Sequence, residues 1–415
     1  MIGLRNRLGS QPRTGPGSVM AAWSVLCLSL TAFDVAGAGE HSISGYVAGE
    51  ARVFFHSPIH PGQKDEPELS LAVRPEYSYR SDTRDHQLRL VPFFRLDSVD
   101  ERRTHADIRE GYWRWLADDW ELLIGMDKVF WGVAESRHLV DIINQTDLVE
   151  DIDGEDKLGQ PMLMLGSQRE WGEVQFYLMP YFRERTFSGE SGRLRRGFVV
   201  DTDGVEYESG SREYHPDLAL RYSHYLGDWD FGAYYFYGTG REPLFRFQET
   251  SESVVPVYTL IHQAGLDLQY THEAWLWKFE GILREGQGDP FGVLVGGFEY
   301  TWYQVAQSSA DLGLLLEYNY DGRDRIDAPP TVFDNDVFVG SRFALNDEQS
   351  SELLVGVTVD VDTGTTFGFL EAERRIGDEW KIEIQSRIFA NVDRSDPAFG
   401  LREDSFLNLS VQRHF

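Results

Sequence analysis

The chain of 415 residues is poor in cysteine, in positive charge and in long apolar runs. Its one cysteine, Cys27, excludes an intramolecular disulfide. Lys and Arg number 39 against 68 Asp and Glu, a formal net charge of −29. Backbone binding by nucleic acid needs a basic surface, so a nucleic-acid partner is excluded. After the N-terminus no stretch approaches the roughly 20 apolar residues of a membrane helix, which excludes a helical membrane protein. A membrane β-barrel is not excluded, because its strands alternate apolar and polar residues and keep the mean hydropathy low. Catalytic signatures are also missing. There is no His-Glu-x-x-His and no Gly-x-Ser-x-Gly elbow. Asp151-x-Asp153-Gly154 and Asp201-x-Asp203-Gly204 lack the distal Glu of a calcium loop. We therefore expect no enzyme, no metal and no other cofactor.

What is present points to strands. Aromatics make up 13% and glycines number 40, a composition of strands and turns, while 26% charged and 41% hydrophobic residues are ordinary for a folded chain. At the N-terminus Arg5, Arg7 and Arg13 precede an apolar stretch from Met20 to Phe33, and Ala36-Gly37-Ala38 has the small-x-small pattern of a cleavage site. Residues 1–38 thus read as a signal peptide. Val25-Leu26 before Cys27 does not suit a lipoprotein site. The first strand follows so closely that no N-terminal plug is expected.

From Ser42 to Phe415 the hydropathy has period 2 almost throughout. Leu69, Leu71, Val73 and Tyr77 stand against Ser70, Arg74, Glu76 and Ser78; Ile382, Ile384 and Ile388 alternate with Glu383, Gln385 and Arg387. The pattern predicts about 18 strands, with 16 as the alternative. Two of them are drawn over 119–132 and 173–185. Connections after even-numbered strands are mostly tight, such as Asp118-Asp119, Gly227-Asp228 and Gly377-Asp378. Those after odd-numbered strands are long, near 133–159, 186–213 and 241–259. A transmembrane, antiparallel, up-and-down β-barrel over 39–415 keeps this parity, with short periplasmic turns and long extracellular loops. A soluble sandwich has no reason to. Trp115, Trp120, Trp171, Trp229, Trp275, Trp277, Trp302 and Trp380 all fall beside predicted short turns, as an interfacial aromatic girdle requires. The last strand finishes on Phe415, which resembles the C-terminal signal read by the outer-membrane barrel assembly machinery. Arg413 stands on its apolar face, where snorkelling to the interface accommodates it.

A barrel of this size leaves an aqueous channel. Arg74, Arg89, Arg95, Arg114, Arg183, Arg221, Lys278, Arg342 and Arg387 fall on predicted inward faces and are the expected pore-lining cations. The loop after the fifth strand carries Glu150, Asp151, Asp153, Glu155 and Asp156. Folded inward, it would face the basic wall across a constriction and set a transverse field. His138 to Asn144 within it is predicted to form a short helix.

Gly125-Met126-Asp127-Lys128-Val129-Phe130-Trp131-Gly132, then Glu135-Ser136 and Asn144-Gln145-Thr146-Asp147, resembles a segment of porin-like outer-membrane families of Gram-negative bacteria. There a strand with Gly and a basic residue runs into Trp-Gly, and Asn-Pro-x-Asp follows; here Gln145 stands at the Pro position. Barrel size is also similar to the alginate-export-type barrels. The resemblance implies a channel for passive diffusion of small hydrophilic or organic solutes. It also implies outer-membrane lipid and lipopolysaccharide as surroundings and a possible homotrimer. The alternatives are a polysaccharide exporter and a closed structural or enzymatic barrel.

Overall fold

In the computed structural model residues 39–248 and 253–415 are described. The expected signal peptide and part of the 241–259 loop lie outside them. Eighteen strands form one sheet: β1 (Gly39–Phe54), β2 (Glu68–Ser81), β3 (His86–Asp97), β4 (His105–Leu116), β5 (Trp120–Asp127), β6 (Gln160–Arg169), β7 (Gly172–Met179), β8 (Asp217–Leu226), β9 (Trp229–Thr239), β10 (Leu260–His272), β11 (Trp275–Glu285), β12 (Phe291–Trp302), β13 (Asp311–Asp321), β14 (Asn335–Ala344), β15 (Glu352–Asp360), β16 (Thr366–Ile376), β17 (Trp380–Ala390) and β18 (Phe406–His414). Each pairs antiparallel with its neighbours in chain order. β18 pairs with β1 from Tyr46↔His414 to Phe54↔Phe406, so the sheet closes and has no edge. The count is 18 rather than 16.

Alternation sets the two faces. Leu69, Leu71, Leu220, Leu283, Val339, Leu407 and Leu409 are exposed on the outside, while Arg52, Arg95, Gln263, Glu280, Glu317 and Asn319 are buried inside. A polar interior behind an apolar, exposed exterior is matched to a bilayer and opposes a soluble β-protein. At the rim of short turns Trp120, Trp171, Trp229, Trp275, Trp277, Trp302 and Trp380 are all exposed. Several stack on neighbours, as Trp229 does on Tyr270 at 4.6 Å between ring centroids. At the same rim Arg413 pairs with Glu379 at 3.1 Å. The seam is tight: Gly45 and Phe415 exchange backbone hydrogen bonds of 3.1 and 3.0 Å. Gly45 has φ +148°, and a Cβ there would lie 2.4 Å from the Arg74 carbonyl oxygen.

Three expectations change. β5 stops at Asp127 instead of 132, and β7 stops at Met179 instead of 185. Pro180, which has no N–H to donate, follows β7 directly. Segment 138–144 is not helical. Within it the Val140 N–H is bonded to Glu280 of the wall, as are N–H groups of the preceding residues 133–136 to Glu280 and Glu317. One irregularity matters for the lumen. The register of β3 on β4 shifts between Val91 and Pro92, so Arg109 is an extra residue opposite them. Beyond this bulge Arg109 and Asp107 face inward.

Candidate functional site

Segment 128–159, between β5 and β6, crosses the inside of the barrel. Its two ends are tied together by Asn144, which is 1% exposed. The Asn144 amide donates to the carbonyls of Asp127 and Leu158 at 2.9 Å each and accepts from the Val129 N–H at 2.8 Å. Trp131 packs between Tyr177 of β7 and Tyr234 of β9, with Arg221 of β8 over its ring at 4.8 Å. Gly132, at φ +148°, lets the backbone pass close to Glu280.

From there the segment is held by carboxylates. Glu280 on β11 accepts the N–H groups of Val133, Ala134 and Val140 at 2.6, 2.9 and 3.2 Å. Glu317 on β13 accepts those of Glu135 and Ser136 at 2.8 Å each, and the Ser136 hydroxyl at 2.7 Å. Hydrogen bonds to charged acceptors are the strong ones, and here they replace a helix ladder. Guanidinium groups take its carbonyls: Arg52 donates to that of Glu150 (3.1 Å), Arg103 to that of Val149 (3.0 Å) and Arg241 to those of Ile142 and Ile143 (3.0 and 2.9 Å).

The acidic residues of the segment meet cations of the wall. Glu150 pairs with Arg95 at 2.6 Å and lies 3.4 Å from His105. Asp151 and Asp153 pair with Arg387 at 3.4 and 2.5 Å, and Arg387 also binds Glu371 at 2.8 Å. Glu155 accepts from His138 at 2.8 Å, which lowers its pKa. Burial disfavours the His138 cation, but Glu155 outweighs it and holds the imidazole pKa above its ordinary value. Enclosure and the neighbouring Glu150, Asp151 and Asp147 push Asp156 up to about 7. Enclosure and Asp151 likewise raise Asp153 well above the usual range, against the pull of Arg387.

The predicted wall cations all have carboxylate partners. Arg74 pairs with Glu76 (3.4 Å), Arg89 with Glu110 (2.5 Å), Arg114 with Glu121 (3.1 Å), Arg221 with Asp267 (2.8 Å) and Lys278 with Glu135 (3.7 Å). Arg342 pairs with Glu135 and Glu352 at 2.8 and 2.9 Å. Arg183 is not on a strand; it reaches back to Asp107 at 2.8 Å. The wall is thus neutralised pair by pair; of these predicted cations Arg95, Arg342, Arg387 and Lys278 reach the crossing segment's carboxylates. Sequence reasoning missed Arg52, Arg103, Arg109 and Arg241, and named Glu135 and Trp131 only within the porin-like segment, without a role. Arg52 was legible, two residues on from Glu50 on the inward face of β1. Arg109 was hidden by the bulge.

His105, Asp147 and Glu150 bring ligand atoms within 4.8 Å of one another. Arg109 and Arg95 already neutralise both carboxylates at 2.6 Å, which leaves little charge to hold a cation. His56-Ser-Pro-Ile-His60 has ligand-like spacing that the sequence reading passed over. On a non-helical connection, however, His60 binds the Gly400 carbonyl at 2.8 Å.

Two cavities flank the crossing segment. One, of about 630 Å³, opens among the long connections and is lined by Phe130, Phe198, Phe245, Phe333, Arg185 and Arg196 among others. The other, of about 550 Å³, lies against Tyr46, Arg52, Arg74, Arg95 and Gln412. Asp153, Glu155, Arg342, Leu354 and Glu371 line both, so the cavities adjoin along these mostly charged side chains.

No family model and no curated protein matches the chain. Solved structures do. OccK9 (OpdG) of Pseudomonas aeruginosa superposes with a TM-score of 0.52 at 10% identity, covering 91% of this chain and 98% of that one. Wzi of Escherichia coli, an outer-membrane protein involved in group 1 capsule assembly and described as a carbohydrate-binding β-barrel, gives 0.51 at 10% identity, covering 90% and 84%. The fold is that of bacterial outer-membrane barrels.

Proposed function

We propose that the chain is a porin-like channel of the bacterial outer membrane, through which small hydrophilic or organic solutes diffuse past a charged neck. The observation that carries this reading is the pair of cavities that share Asp153, Glu155, Arg342, Leu354 and Glu371. A solute enters the wider cavity among the extracellular loops and sheds part of its hydration at the neck. Between the carboxylates of the crossing segment and the guanidinium groups of Arg342 and Arg387 it meets fixed charges of both signs. Such a field orients dipolar solutes and discriminates among ions. No covalent step is part of this proposal, and no cofactor is required.

Outer-membrane lipid and lipopolysaccharide would surround the apolar exterior. Phe415 at the seam would be the address read by the assembly machinery, and a homotrimer would match other porins. A polysaccharide exporter needs a lumen that passes a hydrated glycan chain, and a segment anchored to strands on opposite walls opposes that alternative. The test is the reversal potential in a KCl gradient for Asp151→Asn combined with Asp153→Asn. Removing two acids at the neck shifts selectivity towards anions. An unchanged reversal potential in an open channel would overturn the neck.

A further inference from the structure

The cavity among the long connections combines an aromatic wall with guanidinium groups that, among the described residues, form no ion pair. Phe245 packs edge-on to Phe187 with centroids 5.8 Å apart and against Phe198 at 5.5 Å. All three rings face the cavity, with Phe333 and Phe130. Arg185, Arg195 and Arg196 line the same space. The carboxylates that share it are already engaged: Glu135 by Arg342, Asp153 and Glu371 by Arg387, Glu155 by His138, and Glu242 by Arg284 and Arg323. Among the described residues no carboxylate lies within ion-pair distance of Arg185, Arg195 or Arg196.

Their hydrogen bonds are also incomplete. Arg185 donates from Nε to the neutral amide of Gln145 at 3.2 Å. Arg195, 7% exposed, donates to the Pro61 carbonyl, and its Nε is buried without an acceptor. The Arg196 side chain has no acceptor among the described residues. Burial and the nearby Arg185 lower the Arg196 pKa to about 10, so this pair of cations repel each other in a poorly solvated place. Unpaired charge on an apolar wall is costly, and an anion placed there removes the cost.

We infer that this vestibule binds an amphipathic organic anion, its acidic headgroup on Arg185 and Arg196 and its aromatic or alkyl body on Phe187, Phe198 and Phe245. The inference deepens the channel reading, in which such an anion is the solute captured before the neck. Binding itself does not depend on conduction.

The test uses the full chain purified from membranes in a nonionic detergent, with 4-phenylbutyrate as the probe and neutral 4-phenylbutan-1-ol as its control, in equilibrium dialysis. The acid binds about tenfold more tightly than the alcohol, the scale of one charge-assisted contact. Arg185→Gln with Arg196→Gln removes that difference and leaves alcohol binding unchanged. Phe198→Ala with Phe245→Ala weakens both. Equal binding of acid and alcohol overturns the inference. So does an Arg185→Gln, Arg196→Gln barrel, folded by heat-modifiable gel migration, that keeps its preference for the acid. Bilayer recordings on the same sample separate the two readings: a silent barrel that prefers the acid removes the channel and keeps the site, whereas a conducting barrel without the preference does the reverse.

Discussion

Glu280→Ala probes how the crossing segment is held. The carboxylate of Glu280 is fully buried and accepts three backbone N–H groups, from Val133, Ala134 and Val140, at 2.6–3.2 Å. A hydrogen bond to a charged group contributes about 1.5–3 kcal/mol, and a donor left buried without a partner costs about as much. Bonds to one carboxylate are not additive, and Glu317 and Asn144 still grip the segment. We therefore expect the segment's docking to weaken by about 3 kcal/mol, less than the three bonds taken separately. At about 1.4 kcal/mol per factor of ten, residues 133–144 should open about a hundredfold more often. The barrel itself should stand, because its ladder and lipid-facing side are untouched. Hydrogen–deuterium exchange reads this directly: amides of 133–144 exchange about a hundredfold faster while those of β11 do not change. Channel currents should become larger and noisier. Unaltered protection of 133–144 in a folded Glu280→Ala barrel would refute the reasoning.

Three further outcomes follow from the same geometry. With Asp156 raised to about 7, acidification from about pH 8 to about pH 6 adds its proton and removes negative charge from the crossing segment, so the reversal potential moves towards anions; Asp156→Asn makes that shift smaller, and the part that persists belongs to His138 and Asp153. Arg387→Gln frees Asp151, Asp153 and Glu371 and moves selectivity towards cations, the opposite sign to the double Asp→Asn change, read by the same reversal potential. Gly45→Val forces a β-branched residue to φ +148° with its Cβ against the Arg74 carbonyl at the seam. It should cost about 1–3 kcal/mol and lower the temperature at which the folded band disappears from a gel.

The barrel was legible because its signals are local. Alternation marks each strand, and the order of tight and long connections marks which end each occupies. β5 was drawn too long because Val129, Phe130 and Trp131 continue an apolar pattern. The ring partners of Trp131, Tyr177 and Tyr234, belong to strands far along the chain. β7 was drawn through Pro180, a stop signal that was there to be read. On the crossing segment the acidic cluster stands out in sequence, as does Arg387 on the wall. That Glu280 and Glu317 serve as acceptors for loop backbone does not, since it depends on which inward residues of β11 and β13 face the segment. The same holds for 138–144: local sequence cannot show that a distant carboxylate, Glu280, takes the Val140 N–H. Arg109 escaped because a single bulge reverses the facing of β4, and a strict two-residue period cannot carry a bulge.

Single-channel recording of the refolded barrel in a planar bilayer with symmetric KCl tests the central claim most directly. Discrete, long-lived current steps, with a reversal potential that responds to Asp151→Asn and Asp153→Asn, are the predicted result. A barrel that is folded by heat-modifiable migration and inserted in the membrane, yet passes no current at any voltage, would contradict it and show the crossing segment to be a seal.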